Sequence, residues 1–154
     1  MGDDTGWIEG SSQPPVGADG LAGWYELAST VASSVRVDVG MAVTIPDGPS
    51  AFGDLQGIHP ELVPQLGIRG LFARNFFGPR VFERYGDVRA FEDVGCVLTT
   101  LSNGVVQLDL DSMPWAAGAE TLLSRRRAAE AIVDAWGCLS VEGRPAPRWR
   151  SLFV

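Results

Sequence analysis

The sequence predicts an α+β domain, an antiparallel sheet of about four to six strands with helices packed on one face. Three observations predict it. Residues 35–45 alternate apolar and mixed positions with a period of two. An Asn103–Gly104 pair is flanked on both sides by apolar and β-branched residues, the signal of a hairpin. Residues 20–33 and 119–136 repeat apolar side chains at helical spacing. The chain has 154 residues, 45% of them hydrophobic and 20% charged, enough to bury one core. The expected organisation is a loosely docked or flexible arm over 1–18 and a single domain over 19–154.

Taken in order, residues 1–19 are mostly Gly, Ser, Pro and Asp, with Trp7 and Ile8 as the apolar exceptions. Their acidic start has no apolar block of the kind a signal peptide carries. Asp19 is placed to cap a helix over 20–33, whose apolar stripe reads Leu21, Trp24, Leu27, Ala28 and Val31. Val35, Val37, Val39, Met41, Val43 and Ile45 then mark a long strand with one covered face, ended by the turn Pro46–Asp47–Gly48–Pro49.

Residues 46–66 are loop-rich, and a second strand is expected over 67–74, weakened by Gly67 and Gly70. Gly78–Pro79 opens a short helix with Val81, Phe82 and Tyr85 inward, stopped at Gly86. The hairpin strands are expected over 95–102 and 105–111. With Asn103–Gly104 as a two-residue loop, Leu101 faces Val106, Thr99 faces Leu108 and Val97 faces Leu110. A helix over 119–136 buries Leu122, Ala129, Ile132, Val133 and Trp136 and ends at Gly137. No apolar run approaches the roughly 20 residues of a membrane helix.

The net charge is −7, which disfavours phosphate backbones and nucleic acid and suits a basic protein partner. The parts for catalysis are sparse. His59 is the one histidine, and Cys96 and Cys138 are isolated, so a closed zinc site or a nucleophilic triad has too few members. No cofactor and no membrane are expected. Asp109 and Asp111 share one strand face, and Asp38 can join them from another strand, either as a hard-cation site or as a solvated face. Arg125–Arg126–Arg127 reads as a helix surface with Glu130 and Asp134 as partners at i+4.

The segment from Ala73–Arg74–Asn75–Phe76–Phe77–Gly78–Pro79 through Val81–Phe82–Glu83–Arg84–Tyr85–Gly86, followed by Asn103–Gly104–Val105–Val106–Gln107–Leu108, carries a resemblance. It resembles the immunity proteins of bacterial polymorphic-toxin and type VI secretion systems, in particular the immunity protein 52 group. The likeness covers about residues 70–111 and rests on a helix-starting Gly–Pro, a helix-stopping Gly and a turn Asn–Gly. Phe77 departs from the leucine usual there. The resemblance implies a protein that binds and neutralises a cognate toxin without catalysis of its own. The acidic charge adds the expectation of a basic toxin whose active-site cleft is occluded, and the lack of an export signal that of a cytoplasmic antitoxin.

On that reading the partner-binding candidates are Asp38, Asp109 and Asp111, with Arg74, Asn75, Glu83 and Asp87 from the resembling segment and just after it. Two other classes stay open: a different binding module, such as a secretion chaperone or phage-encoded inhibitor, and a small carboxylate-based enzyme.

Overall fold

A computed structural model describes residues 18–42, 68, 70–81 and 88–140. Helix α1 (Ala18–Ser34) leads into strand β1 (Val39–Ala42), β2 (Arg74–Phe77), a short helix α2 (Arg89–Asp93), β3 (Val97–Thr100), β4 (Val106–Asp109) and helix α3 (Ala119–Ala135). The four strands form one sheet in the order β1-β2-β4-β3, every neighbouring pair antiparallel. The α+β class and the four strands meet the expectation. No helix among the described residues is long and apolar enough to cross a membrane.

Alternation along β2 and β4 sends Arg74, Phe76, Gln107 and Asp109 to one face and Asn75, Phe77 and Leu108 to the other. Helix α1 covers the first face: Ala32 packs with Phe76 and Val105 in a small cluster. The larger core holds Phe77, Leu108 and Phe91 together with Leu122, Ala129 and Val133 of α3. Phe91, fully buried, meets Trp136 edge-on with ring centroids 5.2 Å apart. The two long helices therefore take opposite faces rather than sharing one. The sheet buries polar side chains beneath α1 for that reason.

Both long helices lie within two residues of their expected ends. Of the expected stripe of α3, Leu122, Ala129 and Val133 are inside, while Ile132 and Trp136 are only half-buried against the core. That of α1 is not. Tyr25 and Ala32 are buried with Ser29 between them, whereas Trp24 is 38% exposed and Leu27 50% exposed. The helix is rotated so that much of its apolar stripe faces outward.

The strands differ more. The period-two run begins pairing only at Val39; residues 43–45 lie outside the described residues. Residues 35–38 form no strand: Asn103 Nδ2 donates to the Val35 carbonyl at 3.0 Å, and Asp38 bonds the sheet only through its carbonyl, at the end of β2. In place of a strand over 67–74, Ile68 makes a single parallel bridge with Leu139, and the strand starts at Arg74. β2 lies between β1 and β4 and is buried on both faces at all four residues, so it has no polar side to alternate. Gly78 ends β2 where a Cβ would overlap the Val37 carbonyl oxygen, and its N–H donates to Asp38 O at 2.9 Å. Residues 79–81 begin a helical turn, and the rest of that expected helix lies outside the described residues.

The hairpin forms with its register slipped by one. Leu98 faces Leu108 and Thr99 faces Gln107. The loop has three residues, Ser102 to Gly104: Gly104 N–H donates to Leu101 O (3.0 Å), and Leu101 N–H to Val105 O (2.8 Å). Gly104 takes φ +82° and Asn103 keeps a negative φ, the pattern of a type I turn closed by a left-handed glycine. Asn103 is drawn away from the two-residue turn by its side chain. Its amide donates to Ala32 O (2.7 Å) and Val35 O (3.0 Å), satisfying carbonyls at the end of α1. The slip exchanges the faces of β3, leaving Val97 and Thr99 exposed.

Candidate functional site

Four side chains close a hydrogen-bonded ring between the sheet and α1. Arg74 Nε and Nη2 donate to the two Asp109 oxygens at 2.6 and 2.8 Å, fork to fork. Arg74 Nη1 donates to Ser29 Oγ (2.9 Å) and to the Tyr25 carbonyl (2.7 Å). The Ser29 hydroxyl donates to Gln107 Oε1 (2.6 Å), and Gln107 Nε2 returns to Asp109 Oδ2 (2.8 Å). The guanidinium also lies over the rings of Tyr25 and Trp115, 5.3 and 5.9 Å from their centroids. Arg74 and Asp109 are only 6% and 4% exposed. The charges, donors and acceptors of the ring satisfy one another inside the fold, which makes it a clasp between two layers.

Three of the expected partner-binding residues are thereby relocated. Arg74 and Asp109 are tied to each other beneath α1. Asn75 is buried too, its amide bridging Phe72 N–H and Phe72 O at 2.8 and 2.7 Å. A partner docking on the folded surface does not reach them. The sequence missed Ser29, Gln107, Tyr25 and Trp115 as members of the same assembly. The available signal was the presence of Arg74 and Asp109 within otherwise apolar segments, where a buried charge requires an opposite one.

Asp38 and Asp111 stay accessible but apart in their bonding. Asp38 pairs loosely with Arg36 at 3.7 Å. Asp111 accepts from Met113 N–H (3.1 Å) and pairs with Arg125, whose Nη1 also donates to the Leu110 carbonyl at 3.1 Å. The Met113 N–H and the Arg125 guanidinium hold the Asp111 carboxyl below its ordinary pKa, against the opposing effect of burial. Glu83 and Asp87, and His59, lie outside the described residues.

Of the arginine triplet, Arg126 pairs with Glu130 at i+4 as expected (2.7 Å), and the same Glu130 oxygen accepts from Leu71 N–H at 3.0 Å. No group of three His, Cys, Asp or Glu that could hold a metal ion occurs among the described residues. Cys96 and Cys138 are free and buried, and burial pushes each thiol up to about 11.

Among the described residues the exposed large apolar side chains are Val97 and Met113, apart from each other in the chain, and a group on the outer side of α1 and just beyond it. Trp24 and Leu27 stand out there, with Val35 just beyond the helix end 40% exposed. Asp19 and Glu26 are exposed on the same helix, which carries no basic residue. The chain matches no protein-family model, no curated protein and no solved structure.

Proposed function

We propose that this protein is a non-catalytic immunity protein, which acts in the cytoplasm by binding a basic toxin and covering its active-site cleft. The observation that carries this reading is the outward turn of α1. An acidic chain places Trp24 and Leu27 in solvent while the helix commits Ser29 and the Tyr25 carbonyl to the interior. Tryptophan is among the residues most enriched in binding hot spots, and the aliphatic side chains around it would exclude water. The partial likeness over residues 70–111 supplies the class of partner.

Co-expression tests it. Each gene flanking this one is induced in a bacterial host, with and without the present chain. One flanking product arrests growth, and this chain restores it through a stoichiometric complex. Arrest that the chain does not relieve, with no complex on gel filtration, overturns the reading.

A further inference from the structure

We infer that the outer face of α1 is the surface that docks the partner, laying Trp24, Leu27, Val31 and Val35 into an apolar groove whose rim is basic. The inference rests on the immunity reading and gives that function its interface.

The spacing carries the first part. Positions 24, 27 and 31 fall at i, i+3 and i+7, the anchor pattern of a helix laid in a groove. A helix ordinarily turns such a stripe toward its own core. Here the core side is occupied by Tyr25, Ser29 and Ala32, which meet Arg74, Gln107 and Phe76. The Arg74–Asp109 ring fixes that rotation, because Ser29 must point inward to accept from Arg74. Trp24 and Leu27 are therefore held outward by a buried network, with Val31 half-buried beside them.

Gly23 adds a second observation. It is exposed in the interior of α1, where glycine weakens a helix relative to alanine. A Cβ at this position would meet nothing within 4 Å, so the fold itself has no use for the missing side chain. Its place on the outer side, one residue before Trp24, lets a partner backbone come close.

Charge selects the partner. Asp19 and Glu26 flank the stripe on one side, with no Lys or Arg on the helix to offset them, and the whole chain is at −7. A groove edged by arginine or lysine fits this face, and an acidic one is repelled.

The test uses the full chain and the purified products of the two flanking genes, with affinity measured by titration calorimetry. Trp24→Ser/Leu27→Ser is compared with Val97→Ser/Met113→Ser, a pair of exposed apolar residues elsewhere, and circular dichroism checks that both variants fold. The parent binds one product, the α1 variant loses at least about 100-fold in affinity, and the control stays within about threefold. Asp19→Arg/Glu26→Arg slows association by about tenfold at low salt.

Parent binding with an unchanged α1 variant overturns this interface and leaves the immunity reading standing. Binding of neither product by the parent overturns both. If the free parent sediments as a dimer that the α1 substitutions dissolve, the stripe serves a second copy and the inference fails. If those substitutions lower the melting temperature of the free chain by several degrees, another segment of this chain covers the stripe, and it fails equally.

Discussion

Arg74 and Asp109 sit directly opposite each other in the β2–β4 register and meet through two parallel hydrogen bonds of 2.6 and 2.8 Å. Strand pairing thus brings a buried cation to a buried anion, and α1 completes the shell through Ser29 and the Tyr25 carbonyl. Removing one charge strands the other. Asp109→Leu is expected to lower unfolding free energy by about 3–5 kcal/mol. Arg74→Met combined with Asp109→Leu costs less than that single change, because no unpaired charge remains. Urea unfolding of the two variants measures the difference; equal loss in both would show that the ion pair is not the reason.

Asn103 joins the hairpin loop to the end of α1. Asn103→Ala removes both donations, to Ala32 O and Val35 O, and is expected to cost about 1–2 kcal/mol. Asn103→Asp is worse than alanine, since a carboxylate cannot donate and sets a negative charge against the negative end of the helix dipole. Thermal melts of the three chains should rank Asn above Ala above Asp.

Gly78 is required by close approach. A methyl group there overlaps the Val37 carbonyl oxygen, so Gly78→Ala must push β1 from β2 or break the Gly78 N–H to Asp38 O bond. The expected loss is about 2–3 kcal/mol, in the range of overpacked cores. Gly118→Ala is the matched control, because a Cβ there meets nothing within 4 Å.

Acid sensitivity should depend in part on Asp111. Its pKa in the folded chain lies below the ordinary value of 3.8, so folding is favoured by its ionised form. That contribution is complete above the unfolded value and is lost as pH falls through the lower folded one. Urea midpoints of the parent and Asp111→Asn should differ at about pH 5 and converge toward about pH 2. A gap that persists in acid would assign the effect to packing.

The two thiols should be silent in the native state. With Cys96 and Cys138 buried and each pKa pushed to about 11, almost no thiolate exists at neutral pH. Ellman's reagent is expected to react only as fast as the chain opens, and both sites at the same rate in denaturant.

The helices were legible because their signals are local, 3.6-residue spacing and a terminal Gly137, although Asp19, read as the cap, lies inside the first turn. β2 was not, because a strand covered on both faces carries no alternation, and Arg74 and Asn75 read as surface residues. Asn103–Gly104 marked the hairpin but suits either a two- or a three-residue loop. The choice was made by α1, 71 positions back in the chain, through the Asn103 to Ala32 bond. The same distance dependence misled the site. Asp109 looked like a solvated acid until β2 supplied its arginine, and the inward face of α1 was set by Ser29 rather than by the count of apolar residues.

Ala32 packs near Val37 and Ala42 just after it, but the hydrogen bonds that seat α1 reach far forward in the chain. The Tyr25 carbonyl is bonded by a residue 49 positions later, and Ser29 by one 78 positions later. The helix leaves the ribosome well before β4, the strand that carries Gln107 and Asp109, has been made. Until then both of its sides face water, including the one destined for the interior. Native docking of α1 is consequently a long-range step that waits for β4, and the loop it closes is charged to the folding of the whole sheet.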